Sequence, residues 1–160
     1  LPYNISTEIL SKWILNLKDD KIWFSNLILM FQKEVADRII AQYNSAKYGR
    51  LTILANWKLD IKKIVDIKPI SFYPKPKVDS SLLLFSPKKN FLRLKNPLNL
   101  EKITRVFFNQ RRKMIKKPFN QLFNNSTISA KLNIDLSLRP QNLNLDTYYK
   151  LAKEYEKLRS

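Results

Sequence analysis

Cysteine and histidine are both absent from this 160-residue chain, and glycine occurs once, at Gly49. Without cysteine there is no disulfide framework, no thiolate metal site and no cysteine nucleophile. Without histidine the commonest general base and metal ligand is missing, and no metal centre is expected. A single glycine excludes a P-loop or a G-x-G-x-x-G turn within these residues. No run approaches 18 apolar residues, so no membrane-spanning helix is expected. The chain opens on Leu1 rather than methionine, and nothing near it reads as a signal peptide. The expectation is a sequence entered part-way through a longer one.

What is present is apolar mass and positive charge. Hydrophobic residues make up 44% and aromatic residues 12%, too much for a disordered tail, so a packed core is expected. Thirty Lys and Arg stand against 13 Asp and Glu, a net charge of +17. Such a surface suits polyanions. The charge is uneven: residues 1–86 carry 13 basic and 8 acidic side chains, net +5, whereas residues 87–160 carry 17 and 5, net +12. A composition rich in Lys, Asn and Ile, as an AT-rich genome produces, explains a general excess better than it explains this clustering.

Periodicity sets out the elements. Helical spacing of Ile9, Leu10, Trp13, Ile14 and Leu17 predicts a helix over residues 4–18, and residues 23–31 read as a strand buried on both faces. Helices follow at 32–42 and 51–57, and strands at 61–67 and 78–85, with a proline-rich stretch at 69–77 between them. This order predicts an α/β layer architecture with a mixed sheet whose last two strands pair antiparallel. Residues 87–98 look like a linker. Beyond them the pattern is helical: 101–110, continued by 111–117 with a kink at Pro118, then 126–133. A closing helix at 145–159 turns Tyr148, Leu151, Ala152, Tyr155 and Leu158 inward.

Three segments carry chemistry. Leu1-Pro2-Tyr3-Asn4 opens onto a helix; it suits either a hydrophobic staple or a site that holds an extruded adenine through backbone carbonyls and an aromatic face. In residues 71–80, Phe72 is either a buried plug or a ring that stacks on a base, with Lys75 and Lys77 meeting phosphates. From Lys102 to Lys117 there are seven basic residues (Lys102, Arg105, Arg111, Arg112, Lys113, Lys116 and Lys117) and no acidic one. Such a stretch is either a solvated face or a phosphate-binding one, and helix surfaces ordinarily mix signs to gain i,i+4 pairs.

Taken together these segments resemble the ribosomal RNA adenine N6,N6-dimethyltransferases, in particular the bacterial enzymes that dimethylate two adjacent adenosines near the 3′ end of small-subunit rRNA. The resemblance runs through Leu1-Pro2-Tyr3-Asn4-Ile5-Ser6, Phe31-Gln32-Lys33-Glu34-Val35-Ala36-Asp37-Arg38, Tyr48-Gly49-Arg50-Leu51, Phe72…Pro74…Pro76-Lys77-Val78-Asp79-Ser80, Phe108-Asn109-Gln110-Arg111-Arg112-Lys113 and Arg139-Pro140…Leu143, in order along the chain. It implies the C-terminal half of a class I, Rossmann-like S-adenosylmethionine-dependent methyltransferase sheet over residues 1–88 and a small all-α, rRNA-binding domain over 89–160. It places Leu1, Pro2 and Tyr3 in the target-adenine site, with Leu1 also bordering the methyl donor, and Phe72 on the other side of the base. The basic residues Lys75, Lys77, Lys102, Arg105, Arg111, Arg112, Lys113, Lys116 and Lys117 become candidate RNA contacts.

The implied partner is the small ribosomal subunit precursor, met by a cytoplasmic monomer with no membrane association. The family's glycine-rich donor loop precedes its Asn-Leu-Pro-Tyr segment and has no counterpart here, so these 160 residues alone are expected to bind S-adenosylmethionine poorly and not to methylate. The competing readings are a large-subunit rRNA methyltransferase conferring antibiotic resistance, a non-catalytic relative acting in ribosome assembly or transcription, and a general basic DNA-binding domain.

Overall fold

The computed structural model describes residues 6–19, 21–124 and 126–159, without the side chain of Ser126. Leu1, Pro2 and Tyr3, and with them one wall of the expected adenine site, lie outside the described residues.

The first helix, α1 (Ser6–Asn16), buries Leu10 and Ile14 at the expected spacing. Strand β1 (Leu27–Gln32) leads directly into α2 (Lys33–Ile39). Helix α3 (Arg50–Ala55), strand β2 (Leu59–Ile67), a 3-10 turn at Pro69–Ser71 and strand β3 (Ser80–Pro87) follow. The sheet order is β1-β3-β2, and both pairings are antiparallel. The expected hairpin of the last two strands is present. The expected mixed sheet is not, among the described residues: β3 returns between β1 and β2, so every neighbour pair it makes is antiparallel.

Strand β1 also departs from expectation. Among the described residues it is an edge strand with only Phe31 buried, Ile28 is 56% exposed, and Trp23 lies before the strand, 76% exposed. An apolar run gives no sign of which face a sheet covers. Here α1, α2 and α3 cover the face bearing Phe31, Leu83 and Phe85. Each such fully buried side chain contributes roughly 1.5–3 kcal/mol. Across the register, Ile28 opposite Leu84 and Met30 opposite Leu82 point to the other face and are less covered.

After residue 88 the chain is helical: α4 (Leu98–Phe108), α5 (Lys116–Phe123), α6 (Ser126–Lys131), a 3-10 turn at Pro140–Asn142, and α7 (Leu145–Arg159). The basic stretch is therefore not one kinked helix. It breaks after Phe108, because Ile115 is drawn into the core and its N–H donates to the Leu138 carbonyl at 2.8 Å, a partner from a distant segment. Helix α7 has the expected bounds, but Leu158 is 48% exposed and the further inward residues are Tyr149 and Glu156.

Two apolar clusters result. One joins the sheet to α1, α2 and α3; the other gathers α4, α5 and α7 with Tyr48, Ile53, Leu54 and Trp57. Helix α3 is buried all round and serves both, giving Leu51 and Ala55 to the first and Ile53 and Leu54 to the second.

Candidate nucleic-acid interface

The loop after β2 holds the first group of candidates. The Phe72 N–H donates to the Pro69 carbonyl at 3.1 Å, closing the 3-10 turn, and the Phe72 ring is half-buried. Tyr73, ahead of the cis Tyr73–Pro74 bond, is fully exposed, and Lys75 and Lys77 are exposed. The loop is anchored at its far end: Asp79 accepts from Lys68 Nζ at 3.1 Å and its carbonyl accepts from the Lys33 N–H at 2.9 Å. Asp79 is thus a turn residue, and two aromatic rings with two lysines stand on a braced loop.

The junction of the two clusters holds the second group. Tyr48 is fully buried, and its hydroxyl donates to the Leu143 carbonyl at 2.7 Å. Burial pushes its phenol well above the usual range, so it stays a donor. Arg111 lays its guanidinium over the 45–48 loop and donates to the carbonyls of Tyr48, Ser45 and Ala46, the last at 2.7 Å. Gly49 caps α3 with an extended φ of −170°, and a Cβ there would sit 3.4 Å from Arg111 Nη1, in ordinary van der Waals contact. A cavity of about 360 Å³ opens here, lined among others by Arg38, Lys47, Arg50 and Arg111. Lys47 pairs with Asp37 at 3.3 Å and Arg50 with Glu101 at 2.9 Å. Arg38 alone of the four has no ion pair or side-chain hydrogen bond among the described residues.

The third group runs from α4 into α5. Lys102 lies 5.4 Å from the Tyr155 ring and covers α7 with its stem. Arg105, Arg112, Lys113, Lys116 and Lys117 are exposed, and none pairs with a carboxylate among the described residues. Lys113, Lys116 and Lys117 share a groove of about 510 Å³. The sequence-level candidates are therefore sorted by the fold. Arg111 is committed to backbone carbonyls, Lys102 to an aromatic face, and the rest present free charge.

Sequence reasoning gave no role to Arg38, although it lies in one of the motif segments quoted above, nor to Gln110, Met114 and Asn120, which complete that groove. An exposed methionine within a cationic run is the signal that could have drawn attention to it.

A family model described as ribosomal RNA adenine dimethylase matches residues 1–157. A ribosomal RNA small subunit methyltransferase A of Pelagibacter ubique (strain HTCC1062) is 68% identical over 160 residues, 99% of this chain and 61% of that protein. The protein of the same name from Wolbachia sp. subsp. Drosophila simulans (strain wRi) is 41% identical, covering 98% of this chain and 56% of its own length. The chain thus spans less than two thirds of the length of both relatives. Among solved structures, a dimethyladenosine transferase from Plasmodium falciparum aligns with a TM-score of 0.78 at 26% identity, covering 98% of this chain and 65% of that one. The 23S rRNA methyltransferase ErmE aligns at 0.66 and 16% identity over 98% of this chain and 63% of its own, a likeness of fold alone. Both are consistent with the expected methyltransferase architecture. No helix among the described residues is long and apolar enough to cross a membrane.

Proposed function

The chain belongs to the ribosomal RNA adenine dimethylase family, and from that membership we propose that the whole protein dimethylates N6 of two adjacent adenosines near the 3′ end of small-subunit rRNA during ribosome biogenesis. The observation that carries this reading is the 68% identity, across 99% of the chain, to a protein named as a small-subunit rRNA methyltransferase. In this reading the protein acts in the cytoplasm as a monomer on the small-subunit precursor. Residues 1–88 belong to the catalytic domain and 89–160 form the domain that grips RNA.

S-adenosylmethionine supplies an electrophilic methyl group to reactions of this class. The described residues do not form a glycine-rich cradle for it: the one glycine, Gly49, stands alone at the start of α3. These 160 residues by themselves are therefore inactive in this reading.

What the chain contributes is the hold on the base and on the RNA. The adenine N6 lone pair is delocalised into the ring, so carbonyl acceptors near Leu1-Pro2 favour a more tetrahedral nitrogen and stabilise the charge that develops on it. Tyr3 and Phe72 hold the two faces of the extruded base, each worth roughly 1–3 kcal/mol. The braced loop described above keeps Phe72 in place without consuming its ring in the core.

Phe72→Ala and Tyr3→Ala in the full-length protein test the site. Each is expected to lower the rate on small-subunit precursors by about 5–150-fold, the equivalent of one lost stack. Near-normal rates in both variants overturn the assignment.

A further inference from the structure

The groove between α4 and α5 has a chemistry of its own. Its lining is Gln110, Lys113, Met114, Lys116, Lys117 and Asn120: three ammonium groups, two carboxamides, one thioether and no carboxylate. Met114 is 55% exposed while its neighbour Ile115 is fully buried, so the turn places a flexible apolar side chain at the surface among cations. Lys116 and Lys117 occupy the first turn of α5, which contains no acidic residue. Cations at that end oppose the helix dipole, and each costs roughly 0.3–1 kcal/mol unless an anion sits there. An apolar platform of this kind calls for a flat, polarisable ligand, and the lysines around it call for phosphates on either side of that ligand.

We propose that this groove is a second nucleotide subsite, taking one unstacked base of single-stranded RNA over Met114 with its flanking phosphates on Lys113, Lys116 and Lys117. Gln110 and Asn120 each offer a donor and an acceptor to the edge of that base. At about 510 Å³ the groove falls within the roughly 300–1,000 Å³ range of small-ligand sites. The subsite rests on the RNA-binding reading above but is separate from the adenine site, because none of its residues takes part in holding the target base.

The test measures binding of the full-length protein to a short oligouridylate and to the same ribose-phosphate chain without bases, each across a salt series. The wild type is expected to prefer the oligouridylate, and Met114→Ala to reduce that preference by about 2–10-fold with an unchanged salt slope, as expected for loss of a thioether contact to a ring. Met114→Leu retains most of the preference. Lys116→Gln with Lys117→Gln weakens both ligands alike and lowers the slope by about 0.7 per lysine. Equal binding of the two oligomers, or a preference that Met114→Ala leaves intact, overturns the subsite while leaving RNA binding standing. Failure to bind either oligomer overturns the RNA reading with it.

Discussion

Arg111 and Arg112 are adjacent and identical in the sequence, yet the fold gives them different work. Arg111 satisfies three carbonyls of the 45–48 loop, whereas Arg112 is exposed with no partner among the described residues. Nothing local distinguishes them, because the distinction lies in a loop more than sixty positions earlier. Arg111→Ala is expected to lower stability by about 1.5–3 kcal/mol, since two part-buried carbonyls and one exposed carbonyl lose a charged donor, and urea unfolding measures it. Arg112→Ala leaves the urea midpoint within about 0.5 kcal/mol of wild type and lowers the salt slope of RNA binding by roughly 0.7.

Glu156 is a second residue whose task is invisible in sequence. It is a charged letter on the inner face of α7. Burial works to raise its pKa, but the N–H groups of Asn96 and Lys95 and the Asn99 amide donate to it and hold it below the ordinary carboxylate value. A lowered folded pKa means stability that is present above the unfolded value of 4.5 and lost as pH falls through the folded one. Glu156→Gln is expected to cost about 1.5–3 kcal/mol at pH 7. The gap to wild type narrows in melts taken progressively below pH 4.5.

At the scale of elements, α7 was legible to its ends because its apolar residues keep helical period over four turns and nothing long-range competes. The basic stretch was legible in composition but not in shape. Its break is set by the Ile115 N–H finding Leu138, a contact that no window of sequence contains. The double burial expected of residues 23–31 failed for the same kind of reason: the apolar run was visible, the identity of its sheet neighbour was not. Phe72 and the proline-rich loop were legible as a unit, while the other wall of the proposed adenine site lies outside the described residues. Helix α5 also allows a prediction that separates stability from function. Lys116→Glu places a favourable charge at the positive end of the dipole and is expected to raise stability in the absence of RNA by about 0.3–1 kcal/mol, read as a thermal midpoint. The same variant weakens RNA binding. A helix optimised for folding alone would carry that glutamate already.

Residues 87–160 carry most of the net charge and residues 1–86 the sheet, so under the proposed function the two must be held in fixed relation for a gripped RNA to present a base to Phe72. The fold achieves this with shared parts rather than a hinge. Helix α3 contributes to both clusters, Tyr149 donates to the Ile53 carbonyl at 2.8 Å, and Trp57 Nε1 donates to the Leu92 carbonyl at 2.8 Å across the residues that read as a linker. A division at residue 88 that follows the chemistry therefore need not follow the cooperativity. Trp13 reports on the sheet cluster and Trp57 on the helical one. With Trp23→Phe as the common background, adding Trp57→Phe leaves the first signal and adding Trp13→Phe leaves the second. Leu51→Ala removes buried volume only from the sheet side and is expected to cost about 2–5 kcal/mol. If α3 couples the clusters, both fluorescence midpoints in urea fall together by the same amount. A Trp57 midpoint that stays put while the Trp13 midpoint drops would mean that the helical lobe folds independently, and that the alignment of RNA and base depends on the intervening chain instead of on α3.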